Sequence, residues 1–311
     1  MATCAAASVL AAAALLLSPG LSLARGGAGR TVTVSQCSGF TFERDAATLL
    51  GHGAKGGTIT LACSGDVALP APIVVSTGQT LTVAAPHRKV TFLPFPHGVT
   101  GSSTLGHIWQ LFDVAGGTLT LSHLGFHGTG EEPAAGREGT IPGGDALDAG
   151  QGPDDPYKGG QIYIAAKSTV TIAGSSFTGG LIFGFDAGGG GCGGSSSGNP
   201  GGNGGKGGSG EGGAIYNAGT LTVTRSTFAD DKAHGGSGGF GGCGGNSTAG
   251  PGGAGGKGAS AGKGLGGAIY NTGSLTVTYS TFIGDEAVGG TGGVGGTGGL
   301  DGSGVSGPAD G

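Results

Sequence analysis

Residues 212–228 read GGAIYNAGTLTVTRSTF and residues 266–282 read GGAIYNTGSLTVTYSTF. Fourteen of the seventeen positions are identical, at a spacing of 54 residues. Two fainter copies precede them, GGQIYIAAKSTVTIAGSSF at 159–177 and LFDVAGGTLTLSHLGF at 111–126. One step is common to all four. An aliphatic residue is followed seven positions later by Phe: Leu119 to Phe126, Val170 to Phe177, Leu221 to Phe228, Leu275 to Phe282. A second aliphatic, Leu121, Ile172, Val223 or Val277, lies two after the first. An earlier stretch, IVVSTGQTLTV at 73–83, has Leu81 and Val83 but no Phe seven residues on. TITLAC at 58–63 reads as a starting strand.

A period of two puts the aliphatics on one face of a strand and the threonines on the other. Each strand is too short to stand alone. Stacked coil on coil, with strands about 4.8 Å apart, like residues lie over like. Leu, Val and Phe then fill an interior and Thr rows line the outside, where β-branched side chains suit a pleated surface. The expectation is an all-β chain, a right-handed parallel β-helix (solenoid) with Gly-rich loop inserts. Phe126, Phe177, Phe228 and Phe282 form its internal stack beside Leu119, Val170, Leu221 and Leu275. Asn217 and Asn271, at the corner I-Y-N-x-G, are expected to form an Asn ladder. Tyr163, Tyr216 and Tyr270 are expected to stack in register.

The expected organisation is a signal peptide at 1–24, an N-terminal segment with a capping helix at 25–57, coils with inserts at 58–286, and a Gly-rich tail at 287–311. The signal rests on the apolar run at 5–17, broken by Pro19 and Gly20 and followed by Ser22-Leu23-Ala24. FERDAATLL at 42–50 is the helix candidate, placed to cover an open solenoid end. The tail stops inside a Gly-rich tract, so the chain is expected to be incomplete. No later stretch is long and apolar enough for a membrane-spanning helix.

Glycine contributes 80 of 311 residues, but without the three-residue period of collagen. It gathers in tracts at about 187–211, 234–265 and 287–309, which hold almost no aliphatics. These tracts are expected to leave the body as loops, flexible or loosely polyproline-II-like. Net charge is −5 and no basic run is present, so nucleic acid is not an expected partner. Four cysteines follow the leader: Cys37, Cys63, Cys192 and Cys243. An even number suits an oxidising compartment. Cys37 and Cys63 flank the helix candidate, and Cys192 and Cys243 occupy equivalent G-C-G-G sites in two tracts. Two bridges or four free thiols both fit these spacings.

The GGAI repeats followed by STF resemble those of polymorphic outer-membrane proteins and related bacterial surface proteins of the pectin-lyase-like superfamily. The resemblance covers roughly 55–285. Its second motif is F-x-x-N; here the matching positions read Phe228-Ala-Asp-Asp231 and Phe282-Ile-Gly-Asp285. It implies an exported or cell-surface protein with a glycan or host-surface ligand, an adhesin or an envelope structural element. The C-terminal β-barrel of the outer-membrane members is not in this sequence.

Polysaccharide lyases and glycoside hydrolases share the implied fold and are the alternative. They need a base with cation-bound acids, or paired carboxylates. The candidates are Asp230 and Asp231 with His234, although acids at turns also accept backbone N–H bonds without catalysis. No cofactor is expected. The acidic stretch at 131–155 (Glu131, Glu132, Asp145, Asp148, Asp154, Asp155) reads as a solvated loop or a Ca²⁺ site, and its spacing does not match the calcium-binding nonapeptide repeat.

Overall fold

The computed structural model describes residues 29–51, 53–94, 110–129, 158–194 and 198–305. The signal segment and the acidic stretch at 131–155 lie outside the described residues. Short alternating strands dominate, as β-branched and aliphatic alternation requires. Among the described residues they pair in parallel, within three large stacked sheets and one two-stranded sheet, Gly210–Glu211 with Gly264–Leu265. The chain visits the sheets in fixed rotation. Thr118–Ser122 joins the first sheet, Gly125–Thr129 the third and Ile162–Ile164 the second, before Thr169–Ala173 returns to the first.

Register is strict at one residue per rung. Leu119 pairs with Val170, Val170 with Leu221 and Leu221 with Leu275, all directed inward. Phe126, Phe177, Phe228 and Phe282 form a continuous stack with ring centroids 4.6, 4.7 and 4.8 Å apart. The stack has one more member than the seven-residue step reveals. Phe92 lies 5.7 Å from Phe126 in the same orientation. It stands eleven residues after Leu81 because the corner Ala85–Lys89 is longer here. A first rung also precedes the expected starting strand. Arg30–Val34 pairs with Gly56–Leu61 and extends the first sheet across the intervening helix.

That helix spans Gly39–Leu50 and buries Phe42, Ala46 and Leu49. Phe42 meets Phe92 edge-on at 4.9 Å, so the helix closes one end of the aromatic column. A Cys37–Cys63 disulfide ties its entry to the end of the neighbouring strand.

Two corner devices explain the repeated motifs. In GGAI, the first glycine takes a left-handed conformation, with φ of 71, 77 and 65° at Gly159, Gly212 and Gly266. A Cβ on the second, Gly213, would lie 2.0 Å from the Gly267 carbonyl oxygen. In STF and SSF, the serine hydroxyl receives a backbone N–H from the coil before it. Ser175 N donates to Ser226 Oγ at 3.2 Å, and Ser226 N to Ser280 Oγ at 3.1 Å.

The glycine-rich tracts keep the polyproline-II-like part of the expectation and depart from the flexible one. They are not loose loops but hydrogen-bonded layers. Gly190 and Gly193 donate to the carbonyls of Phe240 and Cys243. Gly238, Gly241 and Gly244 donate to those of Thr291, Val294 and Thr297. The returning arm behaves alike, with Gly204 and Gly207 donating to Lys257 and Ser260. The interval of three residues is the turn of a polyproline-II helix. Packed arms thus give their N–H groups to one another, and glycine is needed because a Cβ would strike the facing backbone. At Gly239 it would sit 1.9 Å from the Gly188 carbonyl oxygen. The tracts bury almost no apolar side chains. Backbone hydrogen bonding holds them instead, with a Cys192–Cys243 disulfide between two outgoing arms.

Two measurements test this architecture. Phe177→Ala, mid-stack, should cost about 3–5 kcal/mol in chemical denaturation, whereas Phe282→Ala, 45% exposed at the far end, should cost less than half as much. Replacing Cys192 and Cys243 together by Ser should speed amide exchange in the glycine arms, with a loss of at most about 4 kcal/mol, and leave exchange in the Phe-lined body unchanged.

Candidate functional site

The candidate catalytic group sits where the third sheet bends, and its members diverge. Asp230 occupies the bend itself, exposed and at φ 57°. Asp231 is fully buried. Its Oδ1 accepts the N–H of Gly180 at 2.7 Å. His234 ends the strand Lys232–His234 and stacks on Phe183 at 5.1 Å. Among the described residues, no hydrogen bond or ion pair joins His234 to either carboxylate.

Asp231 belongs to a column instead. Asp285, one coil on, takes the N–H of Asp231 on its own Oδ1 at 3.0 Å. Each acid thus caps the residue beneath it, as turn carboxylates do. The second oxygens, Asp231 Oδ2 and Asp285 Oδ2, are buried without a hydrogen-bond partner. Burial is the main cause that pushes the Asp231 carboxyl up to about 7. The Gly180 N–H works against that shift, and the negative charges of Asp285 and Asp230 add to it. Burial also raises Asp285. Asp231 and Asp285 are the positions at which the F-x-x-N motif has Asn. An amide there brings two donors without a charge, whereas a carboxyl must hold a proton to donate at all.

The other candidates are placed as follows. Asn217 Nδ2 donates to Asn271 Oδ1 at 2.6 Å and to the Ser274 carbonyl at 3.0 Å. Asn217 Oδ1 accepts the Gly219 N–H at 3.1 Å. Tyr163 and Tyr216 stack at 5.3 Å, and Tyr270 follows, tilted, at 5.7 Å. Those ring faces are turned on one another rather than outward. A shallow groove on the third sheet is lined by Asp66, Thr91, His127, Ser176 and Thr178. His127 Nδ1 lies 3.0 Å from Thr178 Oγ1, and Asp66 is the sole acid in that lining. Among the described residues there is no group of three or more His, Cys, Asp or Glu that could hold a metal ion. No helix among them is long and apolar enough to cross a membrane.

The threonine rows expected on the outside, which favour a binding role, form the outer face of the first sheet. Its middle outward column is Thr31, Thr58, Thr82, Thr120, Thr171, Thr222 and Thr276, seven successive rungs. The signal is the T-x-T of each strand. Comparison with family models, with curated proteins and with solved structures finds no match to the chain.

The buried carboxyl gives a pH dependence. Between the ordinary carboxylate value and about 7, folded Asp231 keeps a proton that the unfolded chain has released. Its contribution is therefore whole at low pH and lost as pH rises through that window. Asp231→Asn should match the wild type near pH 4 and exceed its unfolding free energy at pH 8 by about 2–4 kcal/mol. Parallel denaturant titrations at the two pH values measure the difference.

Proposed function

We propose that the chain is an exported, non-enzymatic surface protein whose stacked sheets form a right-handed parallel β-helix displaying regular outer faces to a ligand. The observation that carries this reading is the lateral repetition of the outer threonines of the first sheet, in register from coil to coil. A polymer or a surface can engage such a face at many equivalent points. Export is supported by the two disulfides, which persist in oxidising compartments. The inward hydrogen bond that Asp231 Oδ1 accepts from the Gly180 N–H supports a structural role for the one acid pair that the lyase and hydrolase alternative would use. The resemblance to polymorphic outer-membrane repeats points the same way, towards adhesion or an envelope structural role at the cell surface.

Asp230→Asn combined with Asp231→Asn separates the alternatives. Retention on immobilised cell-envelope glycans should be unchanged within about twofold. Incubation of the wild type with a panel of acidic polysaccharides, with and without Ca²⁺, should release no unsaturated or reducing product. Product formation abolished by the double substitution would instead establish the lyase or hydrolase reading.

A further inference from the structure

The outer face of the first sheet is a two-dimensional lattice. Three outward columns run across its strands, from Arg30–Val34 through Ser274–Thr278. Of the twenty outward positions, fifteen are Thr, two Ser, two Ala and one Gly. The middle column is Thr at every rung. The first reads Thr80, Thr118, Thr169, Thr220 and Ser274 from the third rung onward. Rows repeat about every 4.8 Å and columns about every 6.6 Å. Register is kept across all six pairings without a bulge, and Thr224 and Thr278 bring their hydroxyls within 3.1 Å.

β-propensity alone explains some of this threonine but not the exclusion of charge. An exposed sheet that needs only solubility mixes Lys and Glu with its β-branched residues. The third sheet does carry an exposed charge outward, at Asp66. On the threonine face no ionisable side chain interrupts the columns.

We propose that this face adsorbs to ice. Each threonine offers a hydroxyl that can hydrogen-bond a lattice water and a methyl that orders water beside it. Their rectangular repeat is close to that of oxygen atoms on the prism faces of hexagonal ice. A charged side chain would hold its own hydration shell in a geometry foreign to that lattice. A crystalline polysaccharide is the less favoured occupant. Platforms for sugar rings use open aromatic faces, and this face has no aromatic residue. The body suits the task, because a template must not deform: disulfides, the aromatic stack and the glycine layers all restrict it. The inference rests on the non-enzymatic binding reading and gives that reading a ligand.

Purified full-length protein at micromolar concentration should facet single ice crystals and suppress recrystallisation in a polycrystalline film. Thr171→Lys combined with Thr222→Lys should cut that activity at least tenfold, with the circular dichroism and melting temperature of the wild type. Val74→Lys, on the second sheet, should keep it. Should the double Lys variant fold poorly, Thr171→Ser with Thr222→Ser, which keeps both hydroxyls and removes both methyls, should lose activity several-fold. Round, unshaped crystals with the wild type would overturn the proposal, as would Lys or Ser variants as active as the wild type. Retention on crystalline cellulose or chitin through this face, with ice unaffected, would overturn it too. Glycan retention without ice activity would leave the binding reading standing, whereas product release from acidic polysaccharides would end that reading.

Discussion

Every described part of this chain depends on backbone N–H and C=O groups of one coil meeting those of the next with no slip in register. A shift of one residue would send each aliphatic outward and each threonine inward. The interior resists that through its shape. Phe over Phe and Leu over Val leave a column in which a displaced polar side chain would be buried without a partner. The same constraint organises the corners, where Asn217 over Asn271 and Ser226 over Ser280 convert side-chain oxygens and amides into further rungs. Stability is thus distributed laterally, each level relying on its neighbours.

The body was legible because a short apolar period survives translation into sequence. Leu119 to Phe126 and its three successors specify both the inward face and the distance round a corner. What broke the period was lost. Phe92 joins the stack from eleven residues after Leu81, and Arg30–Val34 is severed from its sheet by a helix. The hydrogen-bonded order of the glycine arms is hidden in the sequence for a different reason. Their order comes from a hydrogen-bond repeat of three, and glycine carries no side chain in which such a repeat could be written. Only the residues between the glycine pairs, such as Cys192 and Cys243, betray the alignment of one arm with another.

The acids show how position governs the meaning of a motif. Asp230 and Asp231 are adjacent in sequence, yet one faces water and the other stands within a column of capped backbone amides. Two carboxyls in that column are a local conflict. Burial and like charge both oppose ionisation, so the site trades some stability at neutral pH for nothing that an Asn would not also provide.

The three-residue hydrogen-bond repeat also bears on how such a chain can change length. Outgoing arms align at an offset of 51 residues, as Cys192 does with Cys243, whereas returning arms align at 54, as Asn203 does with Lys257. The second tract is therefore longer than the first by one glycine triplet, taken up at the tip between its arms. Gain or loss of a whole triplet preserves which residues face outward and which backbone groups meet. Any other increment would rotate an entire arm about its axis. In the gene, the layers can therefore widen or shrink in steps of nine nucleotides, at the edge farthest from the core, without disturbing the strands that anchor them.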